Sequence, residues 1–173
     1  MYIKYNRCVI ELAPKIVRKS IMNKKVSIVL SGFIFLLGCS GTVPKLGLNN
    51  GQLMPCPDKP NCVSSQATDK QHLIQPIYFT GTRQDAHVRL VQVLNASKGT
   101  KIIVVEENYI RVEFSSKIFR FIDDAEFYFP SNQTEKIFIN LRSASRIGYS
   151  DLGANRERIE QIRTLFKQNN EIL

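Results

Sequence analysis

Two blocks of the chain concentrate side chains that could do chemistry: Phe121-Ile122-Asp123-Asp124-Ala125-Glu126-Phe127 and Arg142-Ser143-Ala144-Ser145-Arg146-Ile147-Gly148-Tyr149-Ser150-Asp151-Leu152-Gly153-Ala154-Asn155-Arg156. Asp124 and Glu126 are two apart, so on a strand they project from one face. Two carboxyl groups about 5 to 9.5 Å apart are what a carboxylate-based hydrolase needs. Arg142, Arg146, Arg156 and Arg158, with Ser143, Ser145, Tyr149 and Asn155, are instead donors suited to a carboxylate, a phosphate or a sugar acid near a helix N-terminus. On that reading, removing Arg146 abolishes binding and leaves the melting temperature nearly unchanged. Asp123 has the opposite parity to Asp124 and faces the helical layer, where an unpaired charge is costly. Ser143, Ser145, the first amides of the last helix and Arg156 are its expected partners. A polar clamp between sheet and helix is the competing use of the same residues, Asp151 included.

Several kinds of chemistry find no support. There is no Gly-x-Ser-x-Gly elbow, and neither His72 nor His87 falls in a motif with Ser64, Ser143 or Ser145, so a serine hydrolase is not expected. Cys56 and Cys62 have neither Cys-x-x-Cys spacing nor a four-ligand set around them. No catalytic residue, metal or cofactor is assigned.

The elements that must position these blocks follow from periodicity. Leu73 to Phe79 reads as a strand. Thr82-Arg83-Gln84-Asp85 then resembles a capping box, and Ala86, Leu90, Val91 and Leu94 share a helical face down to Ser97-Lys98-Gly99. Lys101 to Val105 and Tyr109 to Phe114 form a hairpin, the second strand having Ile110, Val112 and Phe114 inward and a wet outer face. Phe119, Phe121, Ala125, Phe127 and Phe129 share a parity, as do Ile137, Ile139 and Leu141, which predicts two more strands. Matching these parities sets Phe127 opposite Ile139, Asp123 opposite Ser143, and Asp124 opposite Arg142 as an ion pair. Ile159, Ile162, Leu165 and Phe166 mark a final helix. The order strand, helix, four strands, helix predicts an α+β fold: an antiparallel sheet of about five strands with two helices packed on one face and the other face left polar.

The N-terminal region says where such a domain works. Lys24-Lys25, an apolar run from Val26 to Leu37 and Gly38-Cys39 have the three parts of a secretory signal, and the run is well short of the roughly 20 residues a membrane span requires. Leu36-Leu37-Gly38-Cys39 looks like the lipobox of bacterial lipoproteins, which makes Cys39 a lipidated N-terminus and the membrane a partner. Residues 1–38 are then a leader, with 1–21 an upstream extension before Met22 produced by the choice of start site. Residues 39–52, rich in Gly and Asn, read as a flexible tether, and 53–173 as a single globular domain. Removing the leader takes seven of the 24 basic residues and one of the 15 acidic ones, leaving 17 against 14. Nucleic-acid binding thereby loses its electrostatic support. Cys56 and Cys62 remain as an even pair in an oxidising compartment and are expected to join.

Cys56-Pro57-Asp58-Lys59-Pro60-Asn61-Cys62-Val63-Ser64-Ser65 and the two polar blocks, in this order, resemble the domain-of-unknown-function family 1499 from about Leu53 to Phe166. The resemblance implies no reaction, substrate or cofactor. The expectation is therefore a membrane-anchored envelope lipoprotein facing the periplasm, in the outer membrane of a diderm because Ser40 follows Cys39. It would act as a non-enzymatic module for an anionic small molecule or an envelope glycan or lipid head group. The alternatives are a scaffold that uses Tyr109, Arg111, Glu113 and Tyr128 on an open sheet face, and a carboxylate-based hydrolase.

Overall fold

The computed structural model describes residues 41–117, 120–131, 133 and 136–168; the signal segment, Cys39 and Phe119 lie outside them. Elements in chain order are β1 (Leu48–Asn49), β2 (Gln52–Leu53), β3 (Cys62–Ser64), β4 (Ile77–Thr80), α1 (Arg83–Ala96), β5 (Thr100–Val105), β6 (Tyr109–Ser115), β7 (Ile122–Tyr128), β8 (Lys136–Ser145) and α2 (Ala154–Gln168). The fold is α+β, with β1 and β2 forming a small hairpin and the other six strands one antiparallel sheet. β8 is long enough to take two partners along one side: β4 pairs with residues 136–139 and β3 with 142–144. Its other side continues through β7 and β6 to β5.

The strand count differs from the expected five because β3 has only three residues, all buried, and therefore no alternation to read. The strand expected from Leu73 begins at Ile77, while Leu73 makes an isolated parallel bridge to Ser64. Phe121, expected to be buried in β7, precedes that strand and is exposed.

Ile110, Val112, Phe114, Ala125, Phe127, Ile139 and Leu141 put the inner sheet face against α1 and α2 in one core. Thr82 begins α1 by accepting the Asp85 amide at 3.0 Å, the capping expected from its sequence. Leu90, Val93 and Leu94 of α1 and Ile159, Ile162 and Phe166 of α2 complete the core, Phe166 meeting Phe79 edge-on at 5.8 Å. Arg163 ties α2 to the approach of β4 by donating to the carbonyls of Pro76 and Gln75 at 2.6 and 2.7 Å. Among the described residues no helix is long and apolar enough to cross a membrane.

β7 and β8 pair with the expected parity but a different register. Phe127 faces Leu141, Glu126 faces Arg142, Asp124 faces Ala144 and Asp123 faces Ser145. This is a slip of two from the predicted alignment. Two residues is the strand period, so every side chain keeps its face while every cross-strand partner changes.

Candidate functional site

The register divides the two polar blocks between opposite faces of the sheet. On the inner face, beside the helices, Asp123, Ser143 and Ser145 gather around Asn155 in the first turn of α2. The Asn155 amide nitrogen donates to Asn61 O at 3.1 Å, Ser145 Oγ at 3.0 Å and Asp151 Oδ2 at 2.8 Å. Its oxygen accepts from Ser143 Oγ at 2.5 Å and Arg158 Nη1 at 2.8 Å. Asp151 also accepts the backbone amides of Gly153 and Asn155, which fixes the start of the helix. Arg158, not Arg156, neutralises Asp123, at 2.5 Å, with its guanidinium over the Phe114 ring. Arg156 points elsewhere and donates to the carbonyls of Leu73 and Gln71. Arg158 is three residues along α2 from Asn155, so the helical period puts it, and not Arg156, on the Asn155 face. This inner cluster is a clamp: α2, β8 and Asn61 share one hydrogen-bond network.

On the outer face the residues that alternate with the core form a second network. Asp124 accepts from Arg111 Nη2 at 2.8 Å and from Arg146 Nε and Nη2 at 2.7 and 2.9 Å, and Arg146 also pairs with Glu113. Glu126 accepts from Tyr109 Oη at 2.7 Å, from the Gly47 amide at 2.9 Å and from Arg142 Nη1 at 3.4 Å. The expected Asp124–Arg142 pair is therefore replaced by Asp124–Arg146 and Glu126–Arg142. This face is not open and wet, because Tyr109, Asp124, Glu126 and Arg142 are buried.

The cover is the segment expected to be a tether. Gly47 donates to Glu126, and Gly51 approaches the Tyr128 hydroxyl. Gly41, at φ +69°, lies where a Cβ would stand 2.9 Å from both Arg146 Cβ and Ile147 Cγ2, a position that requires glycine. The outer surface of Tyr109, Arg111, Glu113 and Tyr128 needed for the scaffold reading is therefore occupied by an ion network. Cys56 and Cys62 are disulfide-bonded, with 5.7 Å between their Cα atoms, and hold the end of this segment beside β3.

Between cover and sheet lies a cleft of about 430 Å³, walled by Pro44, Leu46, Met54 and Pro55 and floored by Asp124, Arg142 and Arg146, with Lys45 in its lining. Arg142 is its distinctive group. It is 7% exposed, and among the described residues its side chain bonds at 3.4 Å to Glu126 and has its buried Nε without a partner. Burial pushes the Arg142 guanidinium below its ordinary pKa, an effect that Glu126 and Asp124 offset in part. Asp124 shows the opposite balance: burial raises its pKa, but the hydrogen bonds and charges of Arg146 and Arg111 outweigh this and hold it below the usual carboxylate value. A carboxyl held down in this way is not tuned to act as a general acid near neutrality.

Of the residues predicted for a ligand site, Asp124, Arg142, Ser145 and Arg146 line the cleft and Glu126 stands behind Arg142. Asp123, Ser143, Asp151 and Asn155 belong to the clamp, Tyr149 is exposed, and Arg156 binds backbone carbonyls. Arg111, Glu113 and Gly47 were not anticipated as site residues. The alternation of β6 placed the first two on the correct face, whereas nothing in the pattern marks a backbone amide as a carboxylate partner.

A separate corner gives a pH prediction. His72 is buried with Nδ1 2.9 Å from an Asp69 carboxylate oxygen and Nε2 3.0 Å from Lys59 O, so both ring nitrogens face acceptors. The imidazolium satisfies both. The Asp69 bond raises the His72 pKa from 6.5 against the opposing effect of burial, with the Lys59 carbonyl helping. A raised histidine pKa contributes stability that is full below the unfolded value and is lost as pH rises through the folded value. Thermal melts should therefore show the wild-type protein losing more stability than His72→Gln between pH 5.5 and 8. Parallel curves would show that the imidazolium contributes nothing.

The chain matches no curated protein. Its order of cysteine loop, acidic strand and arginine–serine strand running into a helix falls within residues 52–166, the span matched by the model of a protein family of unknown function, DUF1499, and the chain belongs to that family.

Proposed function

We propose that the protein is an exported lipoprotein, held to a membrane through Cys39, whose outer-face cleft binds a small anion such as a carboxylate, a phosphate or a sugar acid. The observation that carries the binding reading is Arg142: a guanidinium almost wholly removed from water, lining a cleft, with, among the described residues, an unpartnered Nε and a long 3.4 Å bond to Glu126. A buried donor without an acceptor costs about 1–3 kcal/mol, which an incoming anion recovers. Arginine also offers planar, bidentate geometry to carboxylate and phosphate. Arg146 has no such reserve, since Asp124 and Glu113 engage it, so its removal would disturb the fold, contrary to the expectation from sequence. The leader supports anchoring through its signal pattern, and the cleft supports recognition without chemistry because both nearby carboxylates already accept from guanidinium groups.

The test is native mass spectrometry of the secreted Cys39→Ser protein beginning at residue 39, so that the cleft-forming residues 41–57 are kept. A non-covalent anionic species released on denaturation is expected, together with a rise in melting temperature when that class of anion is added back. An apo mass, with no thermal shift from inorganic phosphate, simple carboxylates or hexuronic acids at millimolar concentration, would refute anion binding.

A further inference from the structure

The loop from Ile147 to Gly153 exposes two large apolar side chains on a rigid support. Tyr149 is 71% and Leu152 96% exposed. Leu152 holds φ +55°, a left-handed conformation that glycine or asparagine would adopt at lower cost, so its apolar side chain is displayed against local preference. The loop is tied to the residue before β3, where Asn61 donates to Gly148 O at 2.9 Å, and is braced internally where Leu152 N donates to Ser150 Oγ at 3.2 Å and Gly153 N to Asp151 Oδ1 at 2.9 Å. It is therefore a preformed protrusion.

Where the chain enters the domain decides what this protrusion meets. Gly41 packs against Arg146 and Ile147, at the base of the same loop. Cys39 is two residues before Gly41 in the sequence, and two residues of chain reach at most about 7.6 Å. Ile147 to Tyr149 is another two residues. The tether expected to give the domain free reach is thus held to the sheet almost up to its attachment point.

We propose that the Ile147–Gly153 loop is a second membrane contact, inserting Tyr149 and Leu152 into the headgroup and upper acyl region of the bilayer that holds the Cys39 lipid. This inference rests on the anchoring at Cys39 proposed above. A tyrosine suits the bilayer interface, with its ring among the acyl carbons and its hydroxyl in the headgroups. The acyl chains of a diacylglyceryl cysteine hold the domain to the bilayer without fixing its orientation, and a neighbouring apolar contact fixes which side of the domain faces the membrane.

The chain contains no tryptophan, so Tyr149→Trp supplies a single reporter in the full-length processed protein. The control is Tyr78→Trp: Tyr78 is 60% exposed and pairs with Phe138, about 23 Å along β8 from Ser145. Each variant is reconstituted into vesicles of phosphatidylethanolamine and phosphatidylglycerol, with and without brominated phosphatidylcholine, after the lipid mass on the Cys39 peptide has been measured. Expected are a blue-shifted Tyr149→Trp emission, at least halved by the brominated lipid, and an unshifted Tyr78→Trp emission that aqueous iodide quenches. A lipidated protein whose two reporters respond alike to iodide and to bromine overturns the loop contact and leaves the anchor standing. A Cys39 peptide without lipid overturns the anchor and, with it, this inference.

Discussion

Asn155→Ala is expected to destabilise the domain by about 3 kcal/mol, a fall of roughly 10 °C in melting temperature for a chain of this size. Asn155 is 0% exposed, and its amide touches α2, β8 and the Asn61 backbone together. Truncation leaves the buried Ser143 hydroxyl without the acceptor it now uses and takes an acceptor from Arg158, which holds Asp123. Asn61 O keeps one donor, the Ser145 amide at 3.0 Å, which limits the loss at that point. Asn155→Asp separates hydrogen bonding from volume. It retains oxygens for Ser143 and Arg158 but replaces a donor with an acceptor facing Asp151 and Asn61 O. Its loss should match that of the alanine variant at pH 7 and shrink on acidification. Urea unfolding monitored by circular dichroism reads both. A melting temperature within 3 °C of wild type for Asn155→Ala would dismiss the clamp.

The clamp and the cleft show how far such a sequence can be read. Parity was legible, because burial on one face imposes a period of two that Ile110, Val112 and Phe114 or Ile137, Ile139 and Leu141 display openly. Register was not. A slip of two preserves every face, and Phe127 packs as readily beside Leu141 as beside Ile139, so hydrophobic pattern alone could not choose Glu126 over Asp124 as the partner of Arg142. The cover on the outer face was hidden for a different reason. Gly, Asn and Pro between residues 41 and 52 are linker-like by composition, yet they allow the backbone to approach closely enough for Gly47 N–H to reach Glu126 and for Gly41 to sit on Arg146. Once that cover is in place, the alternation of Tyr109, Arg111 and Glu113, which reads as a solvated face, becomes the wall of a buried ion network. The choice of Arg158 over Arg156 for Asp123 was within reach, since Asn155 and Arg158 are three apart on one helix.

Arg142→Met is expected to abolish anion binding and also to lower stability by about 3 kcal/mol, and the two effects can be separated through its partner. Removing Arg142 leaves the Glu126 carboxylate buried with, among the described residues, Tyr109 and Gly47 as donors, and breaking one side of a buried ion pair costs about 3–5 kcal/mol because the remaining charge is uncompensated. The long 3.4 Å contact and the idle Nε place this pair at the weak end of that range. Replacing both partners removes the uncompensated charge, and apolar pairs in such positions are often as stable as the ions they replace. Arg142→Met/Glu126→Gln, neutral at both positions and still offering an oxygen to Tyr109 and Gly47, should therefore recover most of the stability lost by Arg142→Met while remaining unable to bind. The double-mutant cycle then gives a coupling energy for stability that is absent from the binding measurement. If Arg142 served only to neutralise Glu126, the double variant would bind any anion that the wild type binds, because no donor used by the ligand would have been lost. Glu126→Gln completes the argument. It keeps one oxygen for Tyr109 and Gly47, which share Oε1, but sets an NH2 where the other carboxylate oxygen accepts from Arg142 and removes the competing negative charge, so anion affinity should rise by severalfold over wild type. A fall in affinity in that variant would mean that Glu126 orients Arg142 toward the ligand more than it competes with it, and would move the binding groups from the guanidinium alone to the Arg142–Glu126 pair.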